Sequence, residues 1–323
     1  MPSITSEATF DLGGLSDPIR FCGFRDQNLN ALEALVPVVL RLDGDRVHLS
    51  GDRAAVRRAE GVLGAMLAAA RAGSQVTPDD VALAVRSSAA AAGNGDGAIP
   101  PTLVTTARGR EIRPKTAGQR ALAAAIGADT LTFAIGPAGT GKTFLAIVMA
   151  VRALRNREVS RIVLSRPAVE AGEKLGFLPG DLKEKVDPYL RPLYDALSEL
   201  LDDATTQKYL ERGTIEVAPI AYMRGRTLAD AFVILDEAQN ATAEQLKMFL
   251  TRLGQNSKMV VNGDDTQIDL PRGQRSGLLD VERIFAGMED VGIVRLDETD
   301  VVRHPLVGRI VAAYAQLSRE RGE

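Results

Sequence analysis

The stretch Thr130 to Val151, TLTFAIGPAGTGKTFLAIVMAV, narrows the choice of folds more than any other part of the chain. Leu131 to Ile135 is a short apolar run suited to a strand, and it turns abruptly into Gly136-Pro137-Ala138-Gly139-Thr140-Gly141-Lys142-Thr143. That spacing, G-x-x-x-x-G-K-[ST], is the spacing of a phosphate-binding loop. Its glycines allow positive φ and remove side chains, so successive backbone N–H groups can curl around phosphate oxygens. Lys142 supplies a mobile charge for the β- and γ-phosphates and Thr143 a hydroxyl for Mg²⁺. Phe144 to Val151 then reads as a helix that is apolar on nearly every side and therefore buried, with its positive N-terminal end aimed at the same place. Strand, loop and buried helix in this order predict an α/β fold that binds a nucleoside triphosphate.

The length of 323 residues suits two domains or one large one. A hydrophobic share of 45% and a charged share of 25% are those of a globular protein. No run reaches the length of a transmembrane helix, and the start MPSITSEATFDL lacks the blocks of a signal peptide, so a cytoplasmic location is expected. Cys22 is the only cysteine, and with two histidines, His48 and His304, there is little material for a structural zinc site. The expected metal is Mg²⁺ carried in with nucleotide. A net charge of −3 provides no global basic field, so nucleic acid would need local patches.

Residues 1–86 read as a small N-terminal α/β domain: a short strand, a helix at Gln27 to Leu35 stopped by Pro37, strands at Val38 to Leu42 and Arg46 to Leu49 joined by Asp43-Gly44-Asp45, and an amphipathic helix at Arg53 to Ala70. Two readings stay open. It is a KH-like binder of single-stranded RNA, with Gly23-Phe24-Arg25-Asp26 at the GXXG position and Asp26 in place of the second glycine, or it is a module for oligomerisation or partner docking. Thr77-Pro78 starts a further helix, and 87–104, rich in Ser, Ala and Gly, reads as a linker. Thr106 to Arg120 concentrates Arg108, Arg110, Arg113, Lys115 and Arg120; it is either a solvated face or a nucleic-acid contact. Gln119, which offers both a donor and an acceptor, suits the edge of adenine and is otherwise a surface residue.

Further strands are expected at Arg161 to Ser165, Thr214 to Val217, Phe232 to Leu235, Lys258 to Val261 and Ile293 to Leu296. The passage 168–200 is expected to be broken into short pieces by Pro179, Pro188 and Pro192, and to hold a second substrate or partner or else to be a structural subdomain. Asp236-Glu237 closes the fourth strand: Asp236 is placed to hold Mg²⁺ through water, and Glu237 to polarise the attacking water. Thr242 with Gln245 forms a capping box for a helix to Leu253. Gln267, beyond the fifth strand, is a candidate sensor of the γ-phosphate. Arg303-His304-Pro305 precedes a last amphipathic helix with Leu306, Ile310, Tyr314 and Leu317 inward.

The loop at 136–143, Asp236-Glu237-Ala238-Gln239 and Gly263-Asp264-Asp265-Thr266-Gln267 follow the order of ATPase motifs in superfamily 1 helicases, with a glutamine upstream and an arginine downstream. Ser165 to Leu197, SRPAVEAGEKLGFLPGDLKEKVDPYLRPLYDAL, closely resembles the signature of the PhoH-like ATPases, the phosphate-starvation-inducible family, as does MRGRTL at 223 to 228. The resemblance runs from roughly Gly23 to the C-terminus, and the N-terminal module is similar to that of the branch without a PIN domain. It implies a RecA-like P-loop ATPase domain over 105–323, ATP and Mg²⁺ as cofactors, and an RNA-stimulated ATPase or RNA helicase acting in RNA processing or the phosphate-starvation response. It also implies a hexameric ring and a link with a YbeY-type endoribonuclease. Only one such core is present, so an arginine completing the site would come from a neighbouring subunit. Arg303 is the first candidate, then Arg224 or Arg226; each is otherwise a surface or salt-bridging arginine.

Overall fold

The computed structural model describes residues 5–90, 99–167, 182–302, 306–307 and 310. The chain divides into two compact units, Met1–Thr102 and Leu103–Glu323. Among the described residues no helix is long and apolar enough to cross a membrane.

The first unit runs β1 (Thr5–Asp11), α1 (Pro18–Cys22), a 3-10 turn at Phe24–Asp26, α2 (Gln27–Leu35), β2 (Val38–Asp43), β3 (Arg46–Asp52), α3 (Arg53–Arg71) and α4 (Pro78–Ala90). Its antiparallel sheet has the order β1-β3-β2. Asp43 pairs with Arg46, so the hairpin loop is the two residues Gly44-Asp45, one shorter than the expected connection. The sequence reading missed α1, although Asp17 caps it and Pro18 opens it, the same signal that was recognised at Thr77-Pro78. Helix α3 buries Val56, Ala59, Val62, Leu63, Met66, Leu67 and Ala70 at helical spacing against Phe21, Leu32 and Val47. Helix α4 continues to Ala90, past residue 86, because its Ala-rich end favours helix.

The second unit opens with a small antiparallel pair, β4 (Val104–Thr105) and β5 (Glu111–Ile112), then α5 (Ala117–Ala128), β6 (Leu131–Ile135), α6 (Lys142–Arg155), β7 (Arg161–Arg166), α7 (Leu182–Leu200), α8 (Asp203–Glu211) and β8 (Ile215–Pro219). After a 3-10 turn at Ile220–Met223 come β9 (Ala231–Leu235), α9 (Ala243–Leu250), β10 (Lys258–Gly263), α10 (Val281–Phe285) and β11 (Val291–Arg295). The six long strands form one parallel sheet, β11-β6-β10-β9-β7-β8. This is the RecA-like arrangement, with β10 between the phosphate-loop strand β6 and the acidic strand β9. Every residue of β6 and β9 is buried, as befits strands covered on both faces. Ala134, Ile162, Leu164, Phe232 and Ile234 pack with α6 and α7 on one face. Phe133, Ile135, Val163, Val233 and Leu235 pack with α9 and α10 on the other.

Two elements depart from expectation. Pro188 and Pro192 lie inside α7, a single helix of 19 residues. Each proline removes one backbone donor, but Leu190, Leu193, Leu197 and Leu200 form a buried stripe along it, and that packing outweighs the loss. Pro179 and the part of this passage at 168–181 lie outside the described residues. Helix α9 has the expected capping box but stops at Leu250 rather than Leu253. Leu253 instead forms a bridge with Leu228, and the Gly254 N–H donates to the Leu228 carbonyl at 3.1 Å, so tertiary pairing takes the last turn of the helix.

Candidate active site

Between β6 and α6 the loop 136–141 folds back on itself. A Cβ at Gly136 would come within 2.3 Å of the Leu296 carbonyl oxygen, so no other residue fits there. Gly141 caps α6 at φ 84, the left-handed region in which glycine carries no penalty. Lys142, 8% exposed, fills the cradle: Nζ donates to the carbonyls of Gly136 at 2.6 Å and Pro137 at 2.8 Å. Thr140 Oγ1 donates to Pro137 at 2.9 Å. Burial pushes the Lys142 ammonium below its ordinary value, against the pull of Asp264, Asp236 and Glu237.

Beyond the end of β9, Asp236 is 4% exposed and accepts a hydrogen bond from Thr143 Oγ1 at 2.5 Å. Burial holds its carboxyl above the usual carboxylate range, and the bond from Thr143 opposes that shift. Glu237 adopts φ 54 and ψ 40, a left-handed conformation that costs an L-residue about 1 kcal/mol or more. It is held there by Arg166 Nη2, which donates to Oε1 at 2.7 Å, and Gln239 Nε2, which donates to Oε2 at 2.5 Å.

The end of β10 ties the two halves together. Gln239 Oε1 accepts from the Asp264 N–H at 3.0 Å, and Asp264 Oδ2 accepts from the Ala138 N–H of the phosphate loop at 3.1 Å. A chain of contacts thus runs from the loop through Asp264, Gln239 and Glu237 to Arg166. The sequence reading assigned no role to Gln239 or Asp264. Both stand in the motifs Asp236-Glu237-Ala238-Gln239 and Gly263-Asp264-Asp265-Thr266-Gln267, but motif order does not say which side chains turn toward each other.

Asn262 is fully buried, and among the described residues neither of its amide atoms has a partner. It pairs with Ala134 and follows Val261, the partner of Leu235, so it stands level with Asp236. Alternation sets both on the sheet face that packs against α6. An orphaned amide beside Thr143 and Asp236 is what a hydrated cation and phosphate would satisfy, so these residues fit Mg²⁺ entering with nucleotide. Among the described residues no group of three His, Cys, Asp or Glu is placed to hold a metal unaided.

Other candidates fall differently. Gln119 is 5% exposed and spends both amide groups on the protein: Nε2 donates to the Thr140 carbonyl at 2.8 Å and Oε1 accepts from the Lys115 N–H at 2.7 Å. It is buried rather than a surface residue, and in this state it acts as a clasp on the phosphate loop. Gln267 is exposed, and its N–H donates to the Asp264 carbonyl at 3.2 Å. Arg303 and most of the expected last helix lie outside the described residues; Leu306 and Ile310, expected inward, are 48% and 46% exposed, and just before Arg303 the Val302 N–H donates to the Gly139 carbonyl at 3.0 Å. Arg226 is committed to Glu216 through bonds of 2.6 and 2.7 Å, whereas Arg224 is exposed. Within the basic run Arg108, Arg110 and Lys115 are exposed, with Arg110 paired at the surface to Glu199, while Arg113 is buried and paired to Glu111. In the first unit, Gly23-Phe24-Arg25-Asp26 lies between α1 and α2, with Phe24 70% exposed and Arg25 over its ring at 5.2 Å.

Residues 111–315 match the family described as PhoH-like protein. The PhoH-like protein of Mycobacterium tuberculosis strain H37Rv is 54% identical over 295 residues, 91% of this chain and 84% of that one. The PhoH-like protein of Bacillus subtilis strain 168 is 50% identical over 296 residues, 90% and 92% of the two chains. Protein PhoH of Escherichia coli K12 is 53% identical over 193 residues, 59% of this chain and 54% of that one. A phosphate loop facing paired acids on a RecA-like sheet supports an ATPase, and relatives half identical over nine-tenths of its length show that this chain belongs to the PhoH-like protein family.

Proposed function

We propose that this protein is an RNA-stimulated ATPase that acts as an RNA helicase in RNA processing or the phosphate-starvation response. The observation that carries the hydrolytic part is Thr143 Oγ1 at 2.5 Å from Asp236 Oδ1, beside Glu237 and across the cleft from Lys142. In this reading Lys142 leaves the Gly136 and Pro137 carbonyls for the β- and γ-phosphates. Thr143 and Asp236 would hold Mg²⁺, which would supply charge neutralisation at the phosphate oxygens. Glu237 takes a proton from the water whose oxygen attacks the γ-phosphorus; the bond to the bridging oxygen breaks, and ADP and phosphate leave. Gln119 holds the loop in shape at Thr140, and Gln267 is the proposed sensor of the γ-phosphate.

One core supplies half of an ATP sandwich, which favours a homo-oligomeric ring, proposed as a hexamer in the cytoplasm, with an arginine acting in trans. Arg303 remains the first candidate and Arg224 the second, since Arg226 is occupied by Glu216. A YbeY-type endoribonuclease is the proposed protein partner. The test is ATP hydrolysis with and without single-stranded RNA at low salt, paired with a mass measurement with and without nucleotide. RNA should stimulate turnover and nucleotide should favour the ring; absence of both RNA binding and stimulation overturns the RNA reading. The pairing of Arg110 with Glu199 and of buried Arg113 with Glu111, which leaves fewer free cations in the run, supports a second reading, an ATPase that works on a protein partner without unwinding RNA. Stimulation by one stable protein partner and none by RNA would select it.

A further inference from the structure

Arg166 and Gln239 each donate to one oxygen of Glu237, so the carboxylate that a water would meet is oriented, and its charge partly taken up, by a guanidinium and an amide. The two holders differ in where they lead. Gln239 belongs to the chain of contacts reaching the phosphate loop through Asp264, and keeps one oxygen oriented toward it. Arg166 comes from the opposite side. In the sheet order β6, β10, β9, β7 its strand stands three spacings from the phosphate-loop strand, about 14 Å, and its guanidinium reaches back to both acids, with Nε also 3.9 Å from Asp236 Oδ2.

The sheet edge beyond Arg166 carries further residues of one chemical kind. Pro219, the last residue of β8, pairs in register with Arg166. The turn that follows presents Tyr222, 49% exposed, and an exposed Arg224. An exposed aromatic ring with guanidinium groups along the same sheet edge is one way proteins hold single-stranded nucleic acid without reading its sequence: the ring stacks on a base and the guanidinium takes a phosphate oxygen.

We propose that the C-terminal ends of β7 and β8 form the track for single-stranded RNA, that Tyr222 stacks on a base there, and that Arg166 exchanges Glu237 for a phosphodiester oxygen. Without RNA, Arg166 restrains the hydrolytic carboxylate. With RNA bound, Glu237 is left held by Gln239 alone and free to meet water. Arg166 is thus a positioning residue that makes turnover depend on RNA. The proposal rests on the reading of Glu237 as the group that activates water.

Steady-state ATP hydrolysis by the full chain, with and without oligouridylate, tests it. Arg166→Gln should raise the RNA-free kcat roughly tenfold, the size of one lost charge-assisted hydrogen bond, and flatten stimulation by RNA. Arg166→Lys, which keeps the charge but not the fork, should fall between the two and carries the test if Arg166→Gln does not fold. Tyr222→Ala should leave the RNA-free kcat unchanged and raise the RNA concentration needed for half-maximal stimulation. A kcat that falls with and without RNA in Arg166→Gln would assign Arg166 to the γ-phosphate and overturn the proposal, as would an unaltered RNA response in Tyr222→Ala. Glu237→Gln separates the two levels. If it binds ATP but does not turn over, the underlying reading stands whatever Arg166 does; if it still hydrolyses ATP, that reading fails first.

Discussion

Asp236 is 4% exposed, and its carboxyl is held above the usual range chiefly by burial. A carboxyl raised in the folded state favours folding below its unfolded value of about 3.9, and that contribution is lost as pH rises through the folded one. At neutral pH the ionised side chain therefore costs stability in the ligand-free protein. Asp236→Asn keeps an acceptor for Thr143 and removes the charge, so it should raise the ligand-free Tm, by roughly 1 kcal/mol of stability, while removing hydrolysis. A thermal melt settles the sign, and a lower Tm contradicts this account. Lys142→Ala should lower ATP turnover by about 100-fold or more, because it removes the charge aimed at the β- and γ-phosphates. Cys22, 3% exposed, has its thiol pushed up to about 11 by burial and then by Asp26. It should resist a disulfide reagent in the native protein and react fully in urea; reaction at the rate of a free thiol would refute its burial.

Among the elements, the parallel strands were the easiest to read. A strand covered on both faces is a continuous apolar run, and Leu131–Ile135 and Ala231–Leu235 are such runs. The caps at Thr116, Asp52 and Thr242 also act through neighbouring N–H groups, which keeps their signal local. Helix α7 was misread because proline is a local signal and leucine burial is not. Pro192 is exposed within it, so Pro192→Ala restores a backbone donor without touching the core. It should stabilise the protein by roughly 1 kcal/mol or more, measured by urea unfolding. No change would mean that the helix already compensates for the missing donor.

At the scale of the molecule, the proposed ring makes the arginine that completes the site a question about neighbours. Arg303→Ala subunits mixed with Lys142→Ala subunits should regain part of the activity at shared interfaces, because one supplies the loop and the other the arginine. No recovery in verified mixed rings would assign Arg303 a role within its own subunit. Val302, bonded to Gly139, brings the chain against its own phosphate loop one residue earlier, so the experiment addresses a real alternative.

The sequence by itself determined the phosphate loop, the paired acids at Asp236-Glu237, the parallel strands and most helix starts. These depend on backbone freedom, apolar runs and capping groups within a few residues of each other. Only the tertiary structure decided that β10 lies between β6 and β9, and hence that Asp264 and Gln239 join the two halves of the site while Gln267 stays exposed. It likewise made Gln119 a clasp on Thr140, and set Arg166 on Glu237 across 71 residues of chain. Strand order is fixed by how apolar faces pack between layers of helices, and no short stretch of residues records which strand will be its neighbour.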